Sequence, residues 1–108
     1  MGIQKDAGEL LLYFYDVYTK KGVDMEVRHH EIMDMTKWEK TRLDIAIYYL
    51  VGRNLIAGID GFGGFYSVDK VLPDGIDIIE NKDKFKRTFN FEVGVPGLFK
   101  FSWGASER

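Results

Sequence analysis

The sequence contains no cysteine and only two prolines among its 108 residues. The absence of cysteine excludes a disulfide scaffold, thiolate metal sites and a cysteine nucleophile. A strong charge of one sign is also lacking, since 15 Lys and Arg face 17 Asp and Glu for a net charge of −2. This balance excludes the grossly basic composition that by itself indicates a nucleic-acid binder.

Long apolar runs are missing as well. The longest runs from Ile45 to Val51 and ends at Gly52, far short of the ~20 residues that span a bilayer. The N-terminal segment MGIQKDAGE is polar and has no secretory core. We therefore expect a cytoplasmic protein that does not associate with membranes.

The apolar material that is present suffices for one core. Hydrophobic residues make up 45% of the chain and aromatic residues 15%, which differs clearly from the profile of a disordered chain. A chain of this length has room for one ordinary core. We therefore expect a single domain over residues 1–108.

Helical periodicity dominates the first half. Residues 5–21 carry a stripe that includes Leu10, Leu11 and Phe14, which predicts a helix that Gly22 ends in a left-handed conformation. Residues 23–27 fit a short strand or an extended segment. A second helix is expected at about 29–36, with Trp38 filling the turn after it.

A third helix is predicted at about 41–53. Its inward positions follow the i, i+3, i+4, i+7 spacing, and they are Leu43, Ala46, Ile47 and Leu50. Asn54 follows as a left-handed stop. Two β-prone runs around the glycine-rich segment 61–64 then predict a hairpin.

A fourth helix is predicted to open at Pro73. Its inner face is assigned to Ile76 and Ile79, with Phe85 as a third candidate. The basic run KDKFKR at 82–87 is interpreted as a solvated connection, although it has the chemistry to touch phosphate or an acidic partner. From Phe89 onward, alternating residues around a Pro-Gly turn predict a C-terminal β-hairpin.

The order helix, helix, turn, helix, glycine-tipped hairpin resembles the winged helix-turn-helix superfamily of small bacterial and archaeal transcriptional regulators. Val27 with Glu31-Ile32 resembles the start of the family's second helix, and TRLDIAIYYLVGRNLI at 41–56 is similar to its third helix and the exit into the wing. LPDGIDIIE at 72–80 is similar to the helix that often follows the wing. The resemblance implies an α+β winged-helix core over 5–81, with 82–108 as a C-terminal extension.

The resemblance also implies a way to bind duplex DNA, in which the third helix enters the major groove and the wing follows the backbone. Arg42 is then the best base-reading candidate, since a guanidinium pairs bidentately with guanine. The other residues implied at this interface, as groove-facing positions or phosphate contacts, are Arg28, Lys37, Lys40, Thr41, Asp44, Ile45, Tyr48 and Lys70.

The charge distribution leaves a second interpretation open. Residues 54–80 carry one basic and five acidic side chains. Asp60, near the wing tip, would repel phosphates unless it points away. Near-neutral charge and the exposed positions Ile45 and Tyr48 favour instead a winged-helix module that binds protein.

Apolar side chains exceed what one small core needs. Several lie beside or opposite the stripe of the first helix, and others share one face of the last predicted strand. We expect them at the two-fold interface of a homodimer; they are Leu12, Tyr13, Tyr15, Phe99, Phe101 and Trp103. The alternative is a hairpin that folds back over its own first helix and leaves a monomer.

Nothing in the sequence indicates catalysis or a cofactor. His29 and His30 would point about 100° apart on a helix and do not readily share one ion. The glycines at 58–64 do not lead from a strand into a helix, as a dinucleotide loop does. Acids at the start of the fourth helix stabilise the helix dipole and have no nucleophile or base beside them. We expect no cofactor, no metal and no enzymatic activity.

Overall fold

The computed structural model describes residues 2–61 and 64–90, with the backbone alone at 60 and 64–66. The predicted C-terminal hairpin, with Phe99, Phe101 and Trp103, lies outside the described residues. The same holds for the tip of the first hairpin at 62–63.

Within these residues the chain forms five α-helices and one three-stranded sheet. The helices are α1 (Ile3–Lys21), α2 (His29–Thr36), α3 (Lys40–Gly52), α4 (Pro73–Ile79) and α5 (Lys82–Phe89). The strands β1 (Val27–Arg28), β2 (Ile56–Gly61) and β3 (Gly64–Val71) pair antiparallel in the order β1-β3-β2. The α+β class, the first three helices and the first hairpin are therefore confirmed.

Residues with positive φ follow several of the helices. Gly22 has φ 64° but ψ −138°, outside the left-handed region predicted for it, whereas Asn54 has φ 62°, as the sequence predicts. Lys37 after α2 and Asn90 after α5 adopt the same left-handed region at φ 62° and φ 63°. This conformation is unfavourable for lysine, whereas asparagine tolerates it better.

The core forms around α1, which contacts α3, β3, α4 and α5. Its buried side chains include Leu10, Leu11 and Phe14, all fully inaccessible to solvent. The inward residues of α3 are buried as the spacing predicts. Burial of these apolar side chains, at about 25 cal/mol per Å² removed from water, is the main stabilising contribution to such a domain.

The predicted fourth helix is in fact two helices. The amide carbonyl of Asn81 accepts a hydrogen bond from the Lys84 backbone N–H at 3.0 Å and caps a new helix. Phe85 therefore belongs to α5. Phe89, which the alternation placed in a strand, is the last residue of α5, and its ring centroid lies 4.9 Å from that of Phe85. The two phenylalanines are four residues apart and share one helix face, so both bury together.

The predicted interface residues of α1 are used within the chain. Leu12 is buried in its own core, which corrects its assignment to a spare outer face. Tyr13 and Tyr15 are half-buried against the same core. The reason is that α4 and α5 also pack on α1, and the sequence does not predict two helices at this position. The homodimer stays a prediction.

Candidate functional site

The helices α2 and α3 are joined through one carboxylate. The Nε2 atom of His29, at the start of α2, lies 3.1 Å from Oδ1 of Asp44. Nζ of Lys40 donates to Oδ2 of the same Asp44 at 2.6 Å. Both oxygens of this predicted groove residue are thus engaged inside the chain. The pairing offsets the negative charge of Asp44 beside the exposed face of α3.

Arg42 is held on another side of α3, against α1. Its Nε and Nη2 atoms donate to the two carboxylate oxygens of Asp6 at 2.8 and 2.9 Å, and its guanidinium carbon lies 4.2 Å from the centre of the Trp38 ring. The hydrogen bond to Asp6 raises the pKa of Arg42, while burial acts in the opposite direction. Bidentate pairing of this kind is strong and geometrically specific.

This arrangement gives Arg42 a different role from the predicted base contact. The two donors that form its bidentate pair are already bound to Asp6, and its planar group stacks on Trp38. Trp38 is itself fixed in the α2–α3 turn, where its backbone N–H donates to Oγ1 of Thr36 at 3.1 Å. Arg42 therefore positions the first turn of α3 instead of reaching outward.

The outward face of α3 carries Thr41, Ile45 and Tyr48, which follow one another at i, i+4 and i+7 on one stripe. Ile45 is 45% and Tyr48 is 40% exposed, and Thr41 is exposed as well. Large apolar side chains on a helix are ordinarily buried when they have a core to join. The stripe is therefore an exposed surface of mixed hydroxyl, aliphatic and aromatic chemistry.

A shallow cavity of about 360 Å³ opens between the N-terminus of α1 and the start of α3. Ile3 and Ile45 line it together with Thr41 and the Arg42–Asp6 pair. Ile3 is 49% exposed. The sequence does not predict that Ile3 lines this cavity, because the periodicity places the start of the first helix at residue 5, whereas α1 begins at Ile3.

The predicted phosphate contacts lie on several different elements. Arg28, Lys37, Lys40 and Lys70 are all exposed. Arg28 directly precedes α2, and its Nε lies 3.8 Å from a carboxylate oxygen of Glu26. Lys37 occupies the turn between α2 and α3, and Lys70 stands on β3. The structure thus brings Arg28 and Lys40 to the start of the two helices, while Lys70 belongs to the hairpin.

In the described ranges, no helix is both long and apolar enough to cross a bilayer. The same part of the chain holds no group of three or more His, Asp or Glu side chains that could hold a metal ion. No protein-family model matches the chain, and no curated protein or solved structure matches it either.

Proposed function

We propose that the chain is a winged helix-turn-helix module that binds duplex DNA through the outward face of α3. The element order supports this fold, since three helices are followed by the β2–β3 hairpin in one antiparallel sheet. In such a module the recognition helix lies in the major groove, with residues near its N-terminus at base edges. On this chain the recognition helix is α3.

The observation that carries the proposal is the exposed stripe of Thr41, Ile45 and Tyr48. A threonine hydroxyl can bond either kind of base edge, and an aliphatic side chain contacts the methyl group of thymine. A tyrosine hydroxyl is among the usual phosphate contacts. Sequence preference would then come from Thr41 and Ile45, with Arg42 acting as a positioning residue.

Phosphate contacts would come from exposed basic residues at the start of α3, in the turn before it, directly before α2 and on β3, which are Lys40, Lys37, Arg28 and Lys70. Such contacts fix the register of the protein on the duplex and carry no sequence information. A module of this size reads a short site, and two copies held one helical turn apart read a symmetric one. We therefore propose that the chain acts as a small homodimeric transcriptional regulator.

Fluorescence anisotropy with short labelled duplexes at low salt tests the proposal. Ile45→Ala should weaken binding to the preferred sequence and relax the preference at one position, because the contact with a thymine methyl group is lost. Lys37→Gln should weaken binding to all sequences equally and reduce the salt slope by about 1. Val23→Ala is the matched control, since Val23 is 93% exposed and lies outside the three helices of the module. Absence of salt-dependent binding at micromolar protein would contradict the proposal.

The cavity beside Ile3 and Ile45 favours one second candidate, a winged-helix module that binds protein. Apolar side chains in a pocket are the usual anchors of a protein interface. In that case duplex binding is absent, and Ile3→Ala and Ile45→Ala both weaken capture of the partner. Lys37→Gln then has no effect, which separates the two functions.

A further inference from the structure

A second charged surface lies on α5. Its side chains Lys82, Lys84, Lys86 and Arg87 are all exposed, against a single acid, Asp83. The whole chain has a net charge of −2, so the residues outside α5 are net acidic. The short helix α5 is therefore a locally basic segment of a chain that is otherwise net acidic.

The helix α5 is fixed at both of its ends and along its buried face. Phe85 and Phe89 are 0% and 1% exposed, and they pin one face of α5 to the core beside α1 and α4. Asn81 caps the first turn, and Asn90 ends the helix in the left-handed region. Because the two phenylalanines occupy the inner face, the basic side chains project from the remaining faces.

The α5 surface is separate from the outward face of α3. Asp6 of α1 binds Arg42 of α3, whereas Tyr15 of α1 donates to Glu80, which lies between α4 and α5. A helix turns by about 100° per residue, so Asp6 and Tyr15 point to opposite sides of α1. Arg42 of α3 and Glu80 at the end of α4 therefore contact opposite sides of α1, and α5 begins two residues after Glu80.

We propose that the outward face of α5 is a second surface for the phosphate backbone of duplex nucleic acid. By helix geometry Lys84 and Arg87 lie with Asp83 on the face opposite the two phenylalanines, and Lys82 and Lys86 lie beside the phenylalanines. Exposed cations in this arrangement suit a polyanion with regularly spaced charges. An arginine additionally grips phosphate in a bidentate manner. Protein interfaces are usually built around apolar or aromatic anchors, and both phenylalanines of α5 are buried in the core, so the exposed chemistry of α5 favours duplex nucleic acid over an acidic protein.

The inference goes beyond sequence reading by α3, and it does not require α3 to bind DNA. Contacts to phosphate alone give binding that is independent of sequence and strongly dependent on salt. Because the contacts that anchor the two surfaces lie on opposite sides of α1, the two surfaces would hold two different segments of duplex. A chain with both surfaces can bridge those segments.

The test compares full-length variants by anisotropy on a mixed-sequence duplex between about 50 and about 200 mM salt. The double variant K84Q/R87Q should weaken binding equally for all sequences. It should also reduce the slope of log affinity against log salt by about 0.9 for each phosphate that the variant no longer neutralises. The charge-preserving double variant K84R/R87K should keep the slope, and D83N should bind more tightly. Circular dichroism should show nearly the same melting curve for all, since these side chains are exposed and lose only a surface interaction with the helix dipole.

An unchanged affinity and slope in K84Q/R87Q would overturn the inference, as would an equal loss of affinity in K84R/R87K. Failure here is distinguishable from failure of the α3 proposal. Ile45→Ala alters sequence preference and leaves the salt slope unchanged, whereas K84Q/R87Q alters the slope and leaves preference unchanged. An effect of the α5 variant without any effect of Ile45→Ala supports this inference and contradicts the α3 proposal.

Discussion

Arg42 and Asp6, which are 36 residues apart in the chain, form a two-pronged ion pair that joins the first turn of α3 to the first turns of α1. The Asp6 side chain is only 8% exposed, while that of Arg42 is 38% exposed. Removing one partner of a mostly buried pair leaves the other with its desolvation cost. The pair therefore fixes how α3 is presented, and Trp38 supports it from the α2–α3 turn.

We predict that Arg42→Ala lowers the free energy of unfolding by about 1–3 kcal/mol, because the Asp6 carboxylate loses a charged hydrogen-bond partner. Arg42→Lys should recover only part of this loss, since an ammonium does not form the planar two-donor contact. Urea unfolding of Arg42→Ala, Asp6→Asn and the double variant measures the coupling. Strictly additive losses would contradict the pair as described.

A second prediction concerns Tyr15, whose hydroxyl donates to a carboxylate oxygen of Glu80 at 2.5 Å. Burial, and then this hydrogen bond, raise the pKa of Tyr15 to about 12. An unfolded chain titrates its tyrosines near about 10. The folded state therefore keeps the Tyr15 proton longer, so this contribution to stability is complete below about pH 10 and is lost as the pH rises toward about 12.

Tyr15→Phe should remove that alkaline dependence and cost about 0.5–1.5 kcal/mol at neutral pH for the lost hydrogen bond. Ultraviolet titration of phenolate in the native protein should show one fewer late-titrating group in the variant. Glu80→Gln keeps a hydrogen-bond acceptor without the charge, so it should lower the pKa of Tyr15 and keep most of the stability. Identical alkaline unfolding curves for wild type and Tyr15→Phe would refute the assignment.

The sequence predicts the elements whose pattern repeats along several turns. The stripe of α3, from Leu43 to Leu50, is long enough to set its period, and its wheel also places Ile45 and Tyr48 outside, where they are 45% and 40% exposed. In contrast, α5 has only Phe85 and Phe89 to mark its inner face among charged neighbours. The local alternation that begins at Phe89 therefore predicts a strand there, and at Phe89 this prediction is wrong.

Of the candidate site, the sequence predicts only those features that follow from the periodicity of a single helix. Exposure of a position on α3 follows from its own wheel, but the Arg42–Asp6 contact joins two helices that are distant in sequence. The same is true of His29 and Asp44. Which charges are neutralised inside the chain depends on tertiary packing, and no local pattern reports it. The base-reading role that the winged-helix resemblance implies for Arg42 therefore takes no account of the contact with Asp6.

Gly75, in the first turn of α4, supports a third prediction. A Cβ at Gly75 would lie 2.4 Å from the carbonyl oxygen of Leu55 and 3.0 Å from Cγ1 of Val71. The same Leu55 oxygen accepts a hydrogen bond from the Leu72 N–H at 2.9 Å, which anchors the start of α4. Gly75→Ala should therefore destabilise the fold by about 1–3 kcal/mol through overpacking.

Gly52→Ala is the matched control for that substitution. A Cβ there would meet nothing within 4 Å, and Gly52 is the last residue of α3. Alanine at a compatible position should be neutral or stabilise by up to about 1 kcal/mol, because the unfolded chain loses freedom. Thermal unfolding of both variants decides the matter, and equal destabilisation by the two would contradict the close approach at Leu55.

The last prediction concerns Lys37, whose backbone conformation affects stability and whose side chain is proposed to contact phosphate. It ends α2 at φ 62° and ψ 22°, and its N–H donates to the carbonyl of Met33 at 2.8 Å. The left-handed conformation is unfavourable for a residue with a Cβ and open to glycine. Lys37→Gly should therefore stabilise the fold by about 1 kcal/mol, whereas Lys37→Gln should leave stability nearly unchanged.

The two substitutions remove the same charge, so they should weaken duplex binding equally if the Lys37 ammonium contacts phosphate. Urea unfolding and salt-dependent anisotropy on the same preparations separate the two effects. A Lys37→Gly protein that is more stable and binds less tightly supports both roles. If Lys37→Gly binds less tightly but Lys37→Gln binds like the wild type, the side chain takes no part in binding, because removal of the charge alone then changes nothing.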